Sequence, residues 1–270
     1  MKTRIIASLV GIAIAVVVMV FGEMNPLVMA IAVSLLNALL CGEYLSAKNI
    51  HKNLLIFIVC LIFAVSMPLV SLTAFWYIPI YIFSLILFSF LVFFHDKIHL
   101  DEVIFSYAGT MLLTLSMSLF ARLTCEGKYL SFWCVLTLAV PWMADSTAYF
   151  AGRYFGKRKL CPAISPKKTV EGAFGSVLGG IVGSMLLGLI FLLIYRGVSI
   201  NFLSLLLIGL INSMVSIIGD LVFSVVKRHC NIKDYGTIMP GHGGMLDRFD
   251  SVIFCIPVVY ILSRFFVIIA

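Results

Sequence analysis

The residues best suited to chemistry lie near the C-terminus, between two stretches of almost pure hydrocarbon. Cationic, acidic and glycine residues are concentrated there: Lys227, Arg228, Lys233, Asp234, Gly241, His242, Gly243, Gly244, Asp247, Arg248 and Asp250. A lipid environment tolerates such groups only where they line a wet cavity or bind an ion or substrate. The pattern therefore predicts chemistry at a membrane surface, on a compound that carries phosphate.

Asp220 lies inside an apolar run just before this stretch. On a helix it shares one face with Ser224, Lys227 and Arg228, at positions i, i+4, i+7 and i+8. A structural salt bridge to a neighbouring helix would explain the aspartate, as would a metal site facing a cytoplasmic cavity. We favour the metal site, because cations lie one and two turns away.

Asp145 follows the same logic, since it shares a helix face with Tyr149 and Arg153. Intramembrane acids are functional by default. No glycine-rich loop follows Asp145 directly, however. A metal-site role and a structural role are both retained for it.

The glycine run Gly241, Gly243 and Gly244 suits a phosphate cradle, because glycine lets main-chain N–H groups turn toward an anion. A last helix beginning near Met245 would add the positive end of its dipole at the same place. His242 is either a loop hydrogen-bonding residue or a catalytic one.

Asp247 and Asp250 fall one turn apart if the last helix includes both. Two carboxylates at that spacing can share a divalent ion that also bridges phosphate oxygens. We therefore predict four metal ligands, namely Asp220, Asp247, Asp250 and Asp145.

A second polar segment, residues 165–172, precedes a glycine-rich apolar run. We expect Ser165 to cap a helical turn with Pro166 at its first position, so that Lys167 and Lys168 face the start of that helix. A positive-inside anchor would explain the lysines but not the capping residues or Glu171.

Composition identifies an integral membrane protein. Hydrophobic residues make up 62% and charged residues 11% of the 270-residue chain, whereas a soluble domain would carry about a quarter charged residues. No polar stretch is long enough to fold alone, so residues 1–270 form one predicted membrane domain. The net charge of +7 suits an anionic lipid surface, and we predict no nucleic-acid partner.

The fold class predicted is an all-α polytopic membrane protein with about nine transmembrane helices. About 20 apolar residues cross the hydrocarbon. The predicted spans are 5–22, 25–42, 54–73, 75–94, 104–122, 131–151, 173–195, 201–226 and 251–269. The break at Phe75–Tyr77 is the weakest, and eight spans with a re-entrant segment is the alternative.

Lysine and arginine placement predicts the orientation. With the N-terminus inside, 15 of the 19 Lys and Arg residues face the cytoplasm. Without the two polar loops the balance falls to 5 against 4, so those loops carry most of the asymmetry. The polar site of the C-terminal half then faces the cytoplasm, at the inner membrane of the cell.

The two halves of the chain differ. Residues 1–130 are mainly scaffold spans, in which Asn37 and Glu43 suit helix packing or span boundaries, and residues 131–270 carry the catalytic spans and loops. The span 173–195 contains rows of small residues at spacing four, which let helix backbones approach closely. Packing within one chain is favoured over a homodimer seam, and a homodimer remains an alternative.

Two motifs resemble those of the phosphatidate cytidylyltransferases, also called CDP-diacylglycerol synthases. Residues 224–250 read S-x-x-K-R-x4-K-D-x-G-x5-H-G-G-x-x-D-R-x-D, and residues 165–172 read S-P-K-K-T-x-E-G. The resemblance implies CTP and phosphatidate as substrates, CDP-diacylglycerol and pyrophosphate as products, and a role in phospholipid biosynthesis. It also implies dependence on Mg²⁺, with K⁺ beside it.

The residues predicted to act follow from these motifs. The catalytic set is Asp220, Lys227, Arg228, Lys233, Asp234, His242, Asp247, Arg248 and Asp250. The substrate-binding set is Ser165, Lys167, Lys168, Thr169, Glu171, Ser224, Gly241, Gly243 and Gly244.

Two other functions compete with cytidylyl transfer. A CTP-dependent lipid kinase would move the γ-phosphate instead of the cytidylyl group. A cation- or proton-coupled transporter would also place aspartates within spans, but it would show broken helices in both halves. The polar groups here crowd one end of one half, which argues against the transporter.

Overall fold

The structure, a computed structural model, describes residues 2–126, 128–195, 197–238 and 243–269. Across these residues the chain forms nine α-helices and one β-hairpin. The helices are α1 (Lys2–Met24), α2 (Pro26–Ala47), α3 (Leu54–Val70), α4 (Tyr77–Phe93), α5 (Leu100–Glu126), α6 (Leu130–Phe155), α7 (Val170–Ile194), α8 (Phe202–His229) and α9 (Leu246–Phe265). The strands are β1 (Lys159–Cys161) and β2 (Ser165–Thr169).

Every apolar run predicted as a span coincides with one of these helices, so the all-α prediction is confirmed. The weak break is real, since α3 ends at Val70 and α4 begins at Tyr77. Four helices, α2, α5, α7 and α8, are long and apolar enough to cross a membrane by length and composition. Leu9–Met24, α3 and α4 are apolar but shorter. The count of nine spans stays a prediction.

The chain divides into two compact units, and the single-domain organisation stays a prediction. Unit 1 contains residues 1–130 and 230–248. Helix α2 packs against α1, α3 and α5. At its centre the buried Asn37 amide donates to Ala64 O at 2.9 Å and to Thr114 Oγ1 at 3.2 Å. Asn37 therefore joins three helices, as its packing role predicted.

Unit 2 contains residues 131–229 and 249–270. Its two rows of small residues pack against helices of the same chain. In one row, a Cβ on Gly180 would lie 2.9 Å from Gly209 O of α8. In the other, a Cβ on Gly175 would lie 3.1 Å from Thr147 O of α6. Packing within the chain is thus confirmed for both rows, and a homodimer stays a prediction.

The β-hairpin corrects one prediction. Ser165 does not begin a helix, because residues 165–169 pair with β1 in an antiparallel register that places Lys159 opposite Thr169. The segment is extended, and a two-stranded hairpin accepts Pro166 because both its strands are edges. The helix cap lies four residues later, where Thr169 Oγ1 accepts the Gly172 N–H at 3.1 Å.

Candidate active site

The functional side chains of unit 2 are organised around Asp220 of α8. Its carboxylate accepts Lys168 Nζ from β2 at 2.7 Å and the Ser224 hydroxyl, one turn along α8, at 3.3 Å. Lys168 Nζ also donates to Ile217 O at 3.3 Å. The hairpin therefore delivers an ammonium group to the aspartate that the sequence placed on a polar helix face.

Asp250, near the start of α9, lies in the same unit as Lys227 of α8. Lys227 Nζ is 3.7 Å from Asp250 Oδ2, and the side chains are only 14% and 11% exposed. The other carboxylate oxygen of Asp250 accepts the Ser251 N–H at 2.9 Å. Gly219 lets α8 and α9 lie close together, since a Cβ on it would lie 2.9 Å from the main-chain oxygen of Asp250.

Asp145 of α6 is the third acid. Its two oxygens accept the hydroxyls of Ser216 of α8 and Ser251 of α9, each at 2.9 Å. One carboxylate thus connects three helices. Asp145, Asp220 and Asp250, the carboxylate cluster, lie near enough to repel one another. Lys168 and Lys227 balance two of the three charges.

The donor chemistry of the carboxylate cluster fits a hard divalent cation. Mg²⁺ prefers oxygen ligands, and these are three carboxylates with serine hydroxyls beside them. Among the described residues, however, no three acidic, His or Cys side chains converge on one point, so ion binding would require these carboxylates to leave their present partners. Ammonium and hydroxyl groups occupy the carboxylate oxygens instead.

In unit 1, Asp247 binds the main chain of the segment before α9. Its Oδ2 accepts the N–H groups of Tyr235 at 2.8 Å and Gly244 at 3.0 Å. Gly243 has a φ of +86°, a conformation that L side chains rarely adopt. Asp247 and Gly243 together fix how the segment turns into the helix.

Glu43 of α2 caps the same helix. Its two oxygens accept the N–H groups of Met245 at 2.9 Å and Leu246 at 2.7 Å, and the residue is 7% exposed. The phosphate-cradle prediction is therefore wrong for the N–H groups of Gly244, Met245 and Leu246, because carboxylates of the chain already occupy them. The cause is a residue distant in sequence, which the local pattern could not reveal.

Glu43 is the functional candidate that sequence reasoning missed. Its place in the sequence predicts helix packing or a span boundary. The available signal was an acid next to an apolar span, and such acids are functional by default. Its partners lie 202 and 203 residues away in sequence, so no local pattern names them.

Comparison with known proteins decides the family. The family model described as "Cytidylyltransferase family" matches residues 2–266. The chain belongs to this family. The match confirms the resemblance drawn from the motifs, and it supports an enzyme of the nucleotidyltransferase class.

Three relatives, each named phosphatidate cytidylyltransferase, illustrate the similarity. The protein of Bacillus subtilis (strain 168) is 41% identical over 182 residues, 67% of this chain and 66% of the relative. That of Staphylococcus epidermidis (RP62A) is 36% identical over 180 residues, 66% of each. That of Staphylococcus aureus (COL) is 32% identical over 270 residues, 97% of this chain and 98% of the relative. The first two alignments thus span just under two thirds of those relatives.

Several residues of the cytidylyltransferase motifs are exposed cations or acids. Lys167, Arg228, Lys233, Asp234 and Arg248 all lie at the surface of their units. Gly241 and His242 lie outside the described residues, as do Met239 and Pro240. The catalytic and substrate-binding roles of all these residues stay predictions.

Three residues of the shorter cytidylyltransferase motif organise the hairpin of unit 2. The Glu171 carboxylate accepts the N–H groups of Lys157 at 3.0 Å and Arg158 at 3.2 Å, which closes the connection after α6. Thr169 caps α7, and Ser165 is a half-buried strand residue. Their substrate-binding roles stay predictions beside these structural ones.

Cys230 follows α8 in unit 1. Burial raises the pKa of its thiol, and the nearby charge of Lys48 offsets only part of that rise. The rise favours the neutral thiol over the thiolate at this position.

Proposed function

We propose that the protein transfers the cytidylyl group of CTP to phosphatidate, which yields CDP-diacylglycerol and pyrophosphate for phospholipid biosynthesis. The observation that carries this proposal is the carboxylate cluster of unit 2 with Lys168 and Lys227 against it. Family membership and the shared name of the relatives support the choice of substrates.

The reaction is a phosphoryl-type displacement. An oxygen of the phosphatidate phosphate forms a bond to the α-phosphorus of CTP, and the bond from that phosphorus to the bridging oxygen breaks. Pyrophosphate leaves with the electron pair. The second pKa of a phosphate monoester is about 6, so the nucleophile is largely ionised at neutral pH and needs no strong general base.

The chain's own task is to bring two polyanions together in line and to neutralise them. Lys168 and Lys227 suit this task, because each is a partly buried cation that already pairs with a carboxylate. Arg228, Lys233, Arg248 and Lys167 are exposed cations, and we assign them to the phosphates of CTP and of the lipid.

Magnesium is part of the proposal. Asp220 and Asp250 would hold the ion, with Asp145 in support, because these three supply the oxygen donors that Mg²⁺ prefers. When bound, the ion would withdraw charge from phosphate oxygens and favour departure of pyrophosphate. Asp247 as a ligand stays the prediction drawn from its spacing to Asp250, and K⁺ beside Mg²⁺ remains an implication of the motif resemblance.

We also propose that the site opens to the cytoplasmic side of the cell's inner membrane. The apolar helices fit a membrane protein, and the excess of lysine and arginine in the two polar loops supports the orientation. CTP is a cytoplasmic solute, which agrees with this side.

Labelled CTP tests the function directly. Detergent-purified protein would be incubated with phosphatidate, Mg²⁺ and CTP labelled at either the α- or the γ-phosphorus. Cytidylyl transfer predicts that only α-label enters the lipid and that pyrophosphate is released. The same protein boiled before assay is the blank.

Two outcomes would contradict the proposal. In a parallel reaction with a lipid alcohol added, transfer of label to that alcohol from γ-labelled CTP alone would identify a kinase. If folded protein transferred neither label, the transferase assignment would be wrong. Cation-coupled transport would then be the remaining candidate function.

A further inference from the structure

We propose that Glu43 is a positioning residue for the reaction. It fixes the place of residues 235–238 and 243–246, here called the motif loop, and thereby sets the place of Asp247 and Arg248 on the first turn of α9. The inference rests on the proposed function for what those two residues do. The contact itself does not depend on that function.

The hydrogen bonds of Glu43 are directed at the main chain alone. Both carboxylate oxygens are used, one on the N–H of Met245 and one on the N–H of Leu246. These are N–H groups that the start of a helix leaves without an intrahelical partner. A buried carboxylate at the positive end of a helix is stabilised by the helix, and the helix is stabilised by the carboxylate.

The motif loop is shaped to admit this carboxylate. A Cβ on Gly236 would lie 2.5 Å from Glu43 Oε1, and a Cβ on Gly244 would lie 2.6 Å from Glu43 Oε2. Any side chain at either glycine would therefore push the carboxylate away. Gly236 and Gly244 thus make room for Glu43, and of the two only Gly244 belongs to the run that suggested a phosphate cradle.

Aromatic packing holds the same end of α2 against the motif loop. The rings of Tyr44 and Phe105 stack at 4.5 Å, and Tyr44 faces Tyr235 at 6.5 Å. The Tyr44 hydroxyl donates to Phe105 O at 3.3 Å. Glu43 is thus held on a rigid element, which is what a residue that aligns others requires.

Asp247, which lies in unit 1 with Glu43, binds other N–H groups of the motif loop. Glu43 holds the N–H groups just before it, while Asp247 itself holds those of Tyr235 and Gly244. Loss of Glu43 would leave the N–H groups of Met245 and Leu246 without these two acceptors, and the first turn of α9 would then shift. Misplacement by about 1 Å can reduce a rate by about 100-fold.

The test compares Glu43→Ala and Glu43→Gln with Glu102→Ala in the full-length, detergent-purified protein. Glu102, a half-exposed acid of α5 in the same unit, is a matched control outside the proposed site. The readouts are kcat, KM for CTP, and hydrogen exchange of the amides of Met245 and Leu246. Glutamine keeps one carbonyl acceptor and alanine keeps none.

We expect E43A to lose amide protection at Met245 and Leu246 and to raise KM for CTP about tenfold or more, on the scale of misplaced binding groups. E43Q should fall between E43A and wild type, and E102A should match wild type. A purely structural Glu43 would instead lower stability and the active fraction while KM stayed unchanged, and that result would overturn the inference.

Hydrogen exchange separates this inference from the proposed function. If wild type transferred no cytidylyl label, lost protection in E43A would still establish that Glu43 holds the motif loop. Unchanged protection in E43A would show that the contact does not hold it, whatever reaction the protein catalyses.

Discussion

The carboxylates of the two units have different partners. In unit 1, Glu43 and Asp247 accept hydrogen bonds from main-chain N–H groups. In unit 2, the partners of Asp145, Asp220 and Asp250 are serine hydroxyls and lysine ammonium groups, apart from the Ser251 N–H that one oxygen of Asp250 accepts. The sequence does not distinguish the two sets, since each contains an acid of the longer motif and an acid within or next to an apolar span.

The difference indicates different tasks. A carboxylate bound to main-chain N–H groups determines where the chain runs, and its loss alters a segment. A carboxylate bound to flexible side chains can exchange them for a metal ion without any change in the main chain. We therefore assign positioning to Glu43 and to the main-chain contacts of Asp247, and direct participation in the reaction to the acids of unit 2.

Replacement of Asp220 should have the largest effect. Asp220→Asn keeps the shape but removes the charge that Lys168 now pairs with and that would hold the metal. We expect kcat to fall on the order of 1,000-fold, the scale for loss of one preorganised electrostatic group. The unfolding midpoint should change little.

Asp101→Asn is the matched control for that variant, because Asp101 is an exposed acid of α5. Its activity should equal that of wild type. Near-normal turnover in D220N would remove Asp220 from the reaction and would erase the proposed difference between the two units.

Gly243→Ala should have the next largest effect. The φ of +86° at Gly243 disfavours any L side chain, at about 1–2 kcal/mol, so the motif loop should relax away from its present path. We expect catalytic efficiency, measured as kcat/KM for CTP, to fall about tenfold, which corresponds to roughly 1.4 kcal/mol.

Gly197→Ala carries similar strain outside the motif loop. Gly197 has a φ of +87°, and among the described residues no atom lies within 4 Å of the position that a Cβ would take there. The substitution therefore tests strain alone. It should lower stability slightly and leave KM unchanged. Equal KM changes in G243A and G197A would contradict a specific role for the motif loop.

A double-mutant cycle of Gly236→Ala and Glu43→Ala should show a smaller effect. The atoms that a Cβ on Gly236 would approach most closely all belong to Glu43. G236A should therefore reduce kcat/KM several-fold in the wild-type background and have little further effect in E43A, because contacting residues are not additive. Fully additive losses would indicate that the two residues act separately.

The smallest effect is expected for Thr169→Ala. Loss of the cap on α7 should destabilise the protein by about 1 kcal/mol in denaturant unfolding, while KM for CTP stays unchanged. Thr169→Ser, which keeps the hydroxyl, should restore most of the stability. A raised KM in T169A would instead support the substrate-binding role that the motif predicted.

The sequence predicted the helices well because each is a long apolar run bounded by polar residues. It also predicted that Asp220 and Ser224 share a face, which their hydrogen bond confirms. These are local relations, fixed by the helical repeat. The nine-helix pattern and the polar face of α8 both follow from it.

Long-range partners were beyond such reasoning. Lys168 reaches Asp220 only because β2 pairs with β1, and that hairpin is too short and too polar to resemble a strand in sequence. Glu43 meets α9 across more than 200 residues of chain. The cap at Thr169 was misplaced to Ser165 for the same reason, since strand pairing outweighed the local signal.

Metal binding distinguishes the two sets of acids most directly. Mn²⁺, as a substitute for Mg²⁺, would be titrated into wild type, D220N and E43Q, and free Mn²⁺ would be followed by its electron paramagnetic resonance signal. We predict that E43Q binds Mn²⁺ as wild type does, while D220N binds it roughly tenfold more weakly or worse. Equal binding by wild type and D220N, or a loss in E43Q as large as that in D220N, would contradict the division of roles between the two units.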